Sequence, residues 1–142
     1  MKKILFIMCG IIILLKANET YNLTISVKEL KNSIGVVQYS IYNKEDGIPD
    51  ENFKNLYLQS SSSIINGNSI MVFENIPKDI YAVNILHDEN KNKQIDKGLM
   101  LPTEGVGLSN YKTINFFNRP NFKNASFILD KDKQIDIKVN YF

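Results

Sequence analysis

Residues 134–142 read QIDIKVNYF, with Ile135, Ile137, Val139 and Tyr141 at every second position and Asp136, Lys138 and Asn140 between them. Successive side chains of a strand point to opposite faces, so this spacing predicts a strand with one face buried and one wet. The same alternation recurs upstream: Leu23, Ile25 and Val27; Val37, Tyr39 and Ile41; and Tyr81, Val83 and Ile85 within IYAVNIL at 80–86. Helical spacing is absent from all four. Turn residues separate the runs and predict their pairing. The polar turn Lys31 to Ser33 is expected to join the first two strands as a hairpin. Asn66-Gly67-Asn68 is expected to pair 56–65 with 69–73, because Asn and Gly both tolerate positive φ. Asp130 to Lys133 is expected to pair 125–129 with 134–142. Asp50 is placed to cap one helical turn running through Phe53. About seven short strands and no long helix predict an all-β, antiparallel sandwich, with one long loop from His87 to about Ile114.

The chain has 142 residues, 44% of them apolar, with 17 Lys plus Arg, 15 Asp plus Glu, one His and one Cys. That length bounds it to one modest domain. Met1 to Lys3 is basic, and ILFIMCGIIILL at 4–15 carries no charge and ends near Ala17. As a helix this stretch rises only about 18 Å, short of the roughly 30 Å hydrocarbon core, so a cleaved secretory signal is predicted rather than a membrane span. Residues 1–17 are thus expected to be the signal peptide and residues 18–142 the single folded domain. Losing Lys2, Lys3 and Lys16 takes the positive count from 17 to 14 against 15 acids, a net charge of −1. Nucleic-acid and anionic-membrane binding need clustered positive charge, which this balance disfavours. Cys9 falls inside the signal, so thiol chemistry and disulfides are not expected of the exported chain. A single His excludes a multi-His zinc site, leaving oxygen ligands for any metal.

Such ligands stand together in HDENKNKQID at 87–96. Asp88, Asn90, Asn92 and Asp96 occupy the first, third, fifth and ninth places of a loop, the spacing at which alternate oxygens converge on calcium in a twelve-residue calcium loop. Gln94 sits at the seventh place, where a backbone carbonyl donates, and Ile95 follows. Two departures separate this loop from an EF-hand: the sixth place is Lys93 instead of Gly, and the twelfth is Leu99 instead of a bidentate Glu. A strand-tethered calcium loop closed by Asp96, or by a distant carboxylate such as Glu104, is weighed against a plain solvated Asx-rich turn in an Asn-rich chain. Lys91, Lys93 and Lys97 lower the expected affinity, to a Kd of about 10⁻⁴ to 10⁻³ M.

His87 beside Asp88, with Ser109 or Thr103 as nucleophile, is the catalytic alternative. Adjacent strand residues face opposite ways, which makes a His87–Asp88 dyad geometrically poor, and no catalytic residue is assigned. PTEGVGLSN at 102–110 reads as a glycine-rich bend, or as a turn whose Gly105 and Gly107 let backbone approach a ligand. Phe116, Phe117, Pro120 and Phe122 form an aromatic run, expected to fold back over the sandwich or else to present a sticky patch. Asn18-Glu-Thr20, Asn22-Leu-Thr24 and Asn124-Ala-Ser126 match the glycosylation triplet, as chance allows in so Asn-rich a chain, and no modification is read from them.

The order of these segments, from the alternating strand at Tyr21 through Gly35-Val-Val, Gly47-Ile-Pro, YAVNILHDENKNKQID, PTEGVGLSN, the Phe-rich stretch and the final hairpin, resembles one group over about 21–142. It is similar to the uncharacterised secreted bacterial family called domain of unknown function 2141. That resemblance implies a prealbumin-like, Ig-like sandwich related to carboxypeptidase regulatory domains and adhesin B-type modules, and an exported location, but no reaction. Position by position, the family's loop motif falls on His87, Asp88, Asn90, Asn92 and Asp96. Its second motif falls on Pro102, Thr103, Glu104, Gly105, Gly107, Ser109 and Asn110. Lys93 stands where the family usually has Gly. A transthyretin-like hydrolase would need more His and Arg than His87 and Arg119 supply.

The resulting expectation is an exported, non-enzymatic, monomeric domain in the periplasm or at the cell surface. It would bind or scaffold at the cell envelope, with a loop ordered by calcium through Asp88, Asn90, Asn92, Gln94 and Asp96. The alternatives are a carbohydrate- or peptide-binding module using the aromatic loop, and a small hydrolase centred on His87.

Overall fold

The alternating runs become two stacked β-sheets. The structure, a computed structural model, describes residues 18–115 and 117–142. The signal segment expected at 1–17, with Cys9, and Phe116 of the aromatic run lie outside the described residues. Nine strands follow in order: β1 Thr20–Val27, β2 Val36–Tyr42, β3 Leu58–Ser62, β4 Ser69–Pro77, β5 Asp79–Asp88, β6 Gly105–Leu108, β7 Phe127–Leu129, β8 Lys133–Ile137 and β9 Val139–Asn140. Among the described residues one α-helical turn, α1, spans Phe122–Ala125. One sheet has the order β4-β1-β8, and the other β3-β2-β5-β6-β9 with β7 beside the first half of β5. All ladders are antiparallel except β1 with β8. Among the described residues no helix is long and apolar enough to cross a membrane.

The core lies between the sheets. Leu23, Ile25 and Val27 of β1 meet Val37, Tyr39 and Ile41 of β2 and Val83 and Ile85 of β5, all fully shielded from solvent. Each such aliphatic side chain contributes roughly 1.5–3 kcal/mol of burial free energy. A second cluster covers the outer face of the larger sheet: Tyr42, Ala82 and Leu108 pack under Ile48, Tyr111, Phe122 and Ala125. For that reason β2 and most of β5 are buried on both faces instead of alternating wet and dry.

The predicted pairings are corrected by this arrangement. The first two strands do not form a hairpin, because β1 and β2 belong to different sheets; the connection between them crosses over the core and plugs its end with buried Leu30. Asn66 and Gly67 do take positive φ, +49° and +71°, and the Ile65–Asn68 bridge closes a tight turn. The ladder stops there, since β3 pairs with β2 and β4 with β1. The last hairpin is likewise absent: β7 pairs with β5, β8 runs parallel to β1, and β9 pairs with β6. Alternation from Ile135 to Tyr141 survives because the chain steps from one sheet to the other at Lys138 while facing the same core. Period-2 spacing specifies which face is buried but carries no information on which strand lies alongside.

Three smaller corrections follow. The helical turn expected from Asp50 is a single turn at 51–52, with the Phe53 N–H 3.5 Å from the Asp50 carbonyl oxygen, and a separate 3-10 turn lies earlier, at Glu45–Gly47. Asp50 Oδ2 accepts a hydrogen bond from the Asn55 N–H at 2.7 Å, serving as a loop clamp. The long loop after His87 is interrupted by β6, so PTEGVGLSN is partly a buried strand and not a bend. Its glycines make that strand possible: a Cβ on Gly105 would strike Tyr141 and Val139, and one on Gly107 would lie 2.6 Å from the Lys138 carbonyl oxygen. The aromatic run splits, with Phe122 folded back and buried and Phe117 fully exposed.

Candidate metal site in the acidic loop

At the end of β5, His87 pairs with Val37 of β2 on one side and with Gly105 of β6 on the other, and Asp88 lies opposite Val36. Both side chains are shielded from solvent and leave the strand on opposite faces. The His87 ring lies 2.9 Å from the Ile34 carbonyl oxygen through Nε2 and 2.7 Å from the Tyr141 hydroxyl through Nδ1. A carbonyl only accepts, so the proton is assigned to Nε2, and Nδ1 accepts from Tyr141. The Tyr141 oxygen in turn accepts from the Lys31 N–H at 3.2 Å. Every valence of this chain is used, which makes His87 a structural pin between the 28–35 connection and the C-terminus.

Ser109 is equally occupied. Its Oγ donates to the Ala125 carbonyl at 2.7 Å and accepts from the Val83 N–H at 2.9 Å. Val83 is four strand positions from His87, about 13 Å along β5. Thr103, exposed, donates to the Asp96 carbonyl. The residues of the imagined hydrolase are therefore not brought together.

The calcium-spaced residues lie within one hydrogen-bonded loop, but only some of them meet through their side chains. Asp88 Oδ1 and Oδ2 accept from the backbone N–H groups of Asn92 (3.1 Å) and Lys93 (2.9 Å), folding the loop back over the strand end. Asn90 and Asn92 each accept, through Oδ1, from the N–H two residues on. Their amide groups both donate to the Asp96 carboxylate, Asn90 at 2.6 Å and Asn92 at 2.9 and 3.0 Å. Asn90, Asn92 and Asp96 thus meet through their side chains, while Asp88 binds the loop through its backbone. Gln94 enters this network only through its backbone N–H, and its side chain is exposed. Lys93 takes φ of +62°, the left-handed conformation Gly would adopt there more cheaply, so the tight loop is kept despite the substitution. Lys97 is drawn away from the loop to pair with Glu51.

Glu104 lies under the loop, 5% exposed. Its Oε1 accepts from the Glu89 N–H at 2.9 Å, while Oε2 is buried with no hydrogen-bond partner. Burial pushes its carboxyl above the ordinary carboxylate range and the nearby charges of Asp96 and Asp88 push the same way, while the backbone N–H groups of Glu89 and Asn90 oppose the shift without reversing it. Glu89 behaves oppositely. The Asn32 amide (2.8 Å) and the Lys31 ammonium (2.8 Å) hold its carboxyl below the ordinary range. Glu89, Asn32 and Tyr141, which anchor the loop, carry no sequence signal, since their partners lie more than fifty residues away. Among the described residues no three His, Cys, Asp or Glu side chains form a metal-holding group. An ion here would depend on amide oxygens of Asn90 and Asn92 as much as on carboxylates.

The family model for DUF2141, uncharacterized proteins conserved in bacteria, matches residues 25–138. The chain belongs to that family. The match runs from β1 through β8 and takes in the whole acidic loop, so the loop and the sandwich that carries it lie within the DUF2141 unit. No curated protein and no solved structure matches the chain.

Proposed function

We propose that this DUF2141 protein is an exported, non-enzymatic sandwich domain that binds or scaffolds at the bacterial cell envelope, and that calcium orders its 88–104 loop. The observation that carries the calcium reading is the buried, unpartnered Glu104 Oε2 beneath a loop already folded around Asp88, Asn90, Asn92 and Asp96. An unpaired buried carboxylate oxygen is costly, and a hard divalent cation is the partner that would relieve it. Each Asn amide would rotate about its terminal bond to present oxygen in place of the N–H groups now facing Asp96, and the Gln94 carbonyl would complete the shell. Export is supported by the uncharged stretch at 4–15 behind Lys2 and Lys3.

Calcium titration followed by calorimetric melting tests this reading. With Kd of about 10⁻⁴ to 10⁻³ M, 10 mM calcium stabilises by roughly 1–3 kcal/mol, which raises Tm by several degrees. Asp88→Ala and Asp96→Asn each abolish the response. An unchanged melting curve on chelation rejects the reading. Fully exposed Phe117 favours a second reading, a carbohydrate- or peptide-binding module built on the aromatic turn. Glycan-array or peptide binding lost on Phe117→Ala would support it.

A further inference from the structure

The outer face of the larger sheet is not covered completely. Between the 48–51 segment, the second half of the acidic loop and the 114–120 turn lies a cavity of about 600 Å³, floored by Asn84, Val106 and Leu108. This is within the roughly 300–1,000 Å³ of small-molecule sites. Its apolar walls are mostly aliphatic, Ile48, Ile95, Leu101, Val106, Leu108 and Ile114, and among the described residues Phe142 is the one aromatic side chain in the lining. Flexible and branched aliphatic walls suit a methylene chain better than a flat ring, which gains most from stacking on aromatic faces.

The charged groups in the lining say what the other end of the occupant carries. Lys97 and Glu51 pair with each other. Asp50 is clamped by the Asn55 N–H. Asp50 keeps its negative charge, and Arg119 is the lining cation that has no carboxylate within salt-bridge distance among the described residues. Its backbone is fixed, because its carbonyl accepts from the Tyr111 hydroxyl, which itself accepts from the Asn121 N–H at 3.2 Å. Arg119 lines the cavity and is exposed, and a guanidinium is the side chain that matches a carboxylate bidentately.

We propose that this cavity binds a small aliphatic carboxylate, a fatty-acid-like amphiphile, with its chain against Val106, Leu108 and Ile114 and its head on Arg119. The cavity exists independently of any ion in the acidic loop, so the proposal does not rest on calcium.

Sodium decanoate below its micelle concentration, decanol, and phosphatidylglycerol vesicles are the three probes, followed by NMR titration of the protein. Saturable decanoate binding at one site, with shifts at Val106, Leu108 and Ile114, is expected. Arg119→Gln weakens decanoate about tenfold or more while leaving decanol unchanged, as expected for the loss of a charge-assisted contact. Leu101→Asp, a change at the partly exposed rim that should not disturb folding, weakens both. Equal affinity for decanoate and decanol with no effect of Arg119→Gln overturns the proposal. So does an absence of shifts at the floor residues, or binding to vesicles without binding of free decanoate.

Discussion

His87 and Asp88 are neighbours on β5, both shielded from water, yet they sit in networks of opposite kind. On the His87 side every donor and acceptor is matched: the Ile34 carbonyl, the imidazole, the Tyr141 hydroxyl and the Lys31 N–H form a closed chain. On the Asp88 side the loop is folded just as definitely, but a buried carboxylate oxygen of Glu104 is left without a partner and is flanked by two further acids. Fully matched buried polar groups hold a fold together, whereas an unmatched one calls for an explanation of its own. Gln38 Nε2, Tyr39 Oη, Tyr42 Oη and Asn140 Nδ2 are also unmatched, and Glu104 Oε2 is the one that is a carboxylate beside two further acids. A titratable residue in the interior is therefore judged by the completeness of its network and not by its type.

The largest expected effect comes from breaking the closed side. His87→Ala removes a buried ring and leaves the Tyr141 hydroxyl and the Ile34 carbonyl unmatched, costing about 3–5 kcal/mol by denaturant unfolding. Tyr141→Phe costs about 1–2 kcal/mol by the same measure. Neither change touches the oxygens of the acidic loop, so the calcium response of the folded His87→Ala protein should persist; its disappearance would show that the two networks are one unit. Lys93→Gly acts on the loop side alone. Relieving the left-handed strain at +62° stabilises the protein by about 1 kcal/mol and leaves loop geometry intact, which unfolding and calcium titration together would show.

The smallest effect is a pair of opposite pH slopes. Glu104, with its folded pKa raised, binds a proton more tightly in the folded than in the unfolded chain, so stability falls as pH rises from the unfolded pKa through the folded one. Glu89, with its folded pKa lowered, contributes stability that is present above its unfolded pKa and lost as pH falls through the folded value. Without calcium, Glu104→Gln should remove the first slope and Glu89→Gln the second. Identical pH profiles for the two variants would contradict the assignment.

The alternation of Leu23, Ile25, Val27 and of Ile135 to Val139 identified the core-facing residues, because burial of one face is a local property of a strand. The pairing was not legible. Turns such as Asn66-Gly67 form as their residue types demand, but each of the three expected hairpins is opened because its two strands join different neighbours. The loop's Asx pattern was legible for the same local reason: side chains at alternate places bond to backbone two residues on. Lys93 could not be placed in the left-handed region from its type, which ordinarily avoids it. Gly105 and Gly107 were legible as sites of close approach, but only the β9 chain crossing beside them shows what approaches. The unmatched oxygen of Glu104 and the lack of a carboxylate partner for Arg119 among the described residues depend on what surrounds them across the fold, and no spacing rule reaches that.

The central claim turns on Glu104, and its side-chain carboxyl can be followed by carbon NMR across a pH titration with and without calcium. Above the ordinary range without the ion and markedly lower with it is the behaviour predicted of a carboxylate whose unmatched oxygen gains a cation. A midpoint that stays put when calcium is added would contradict it.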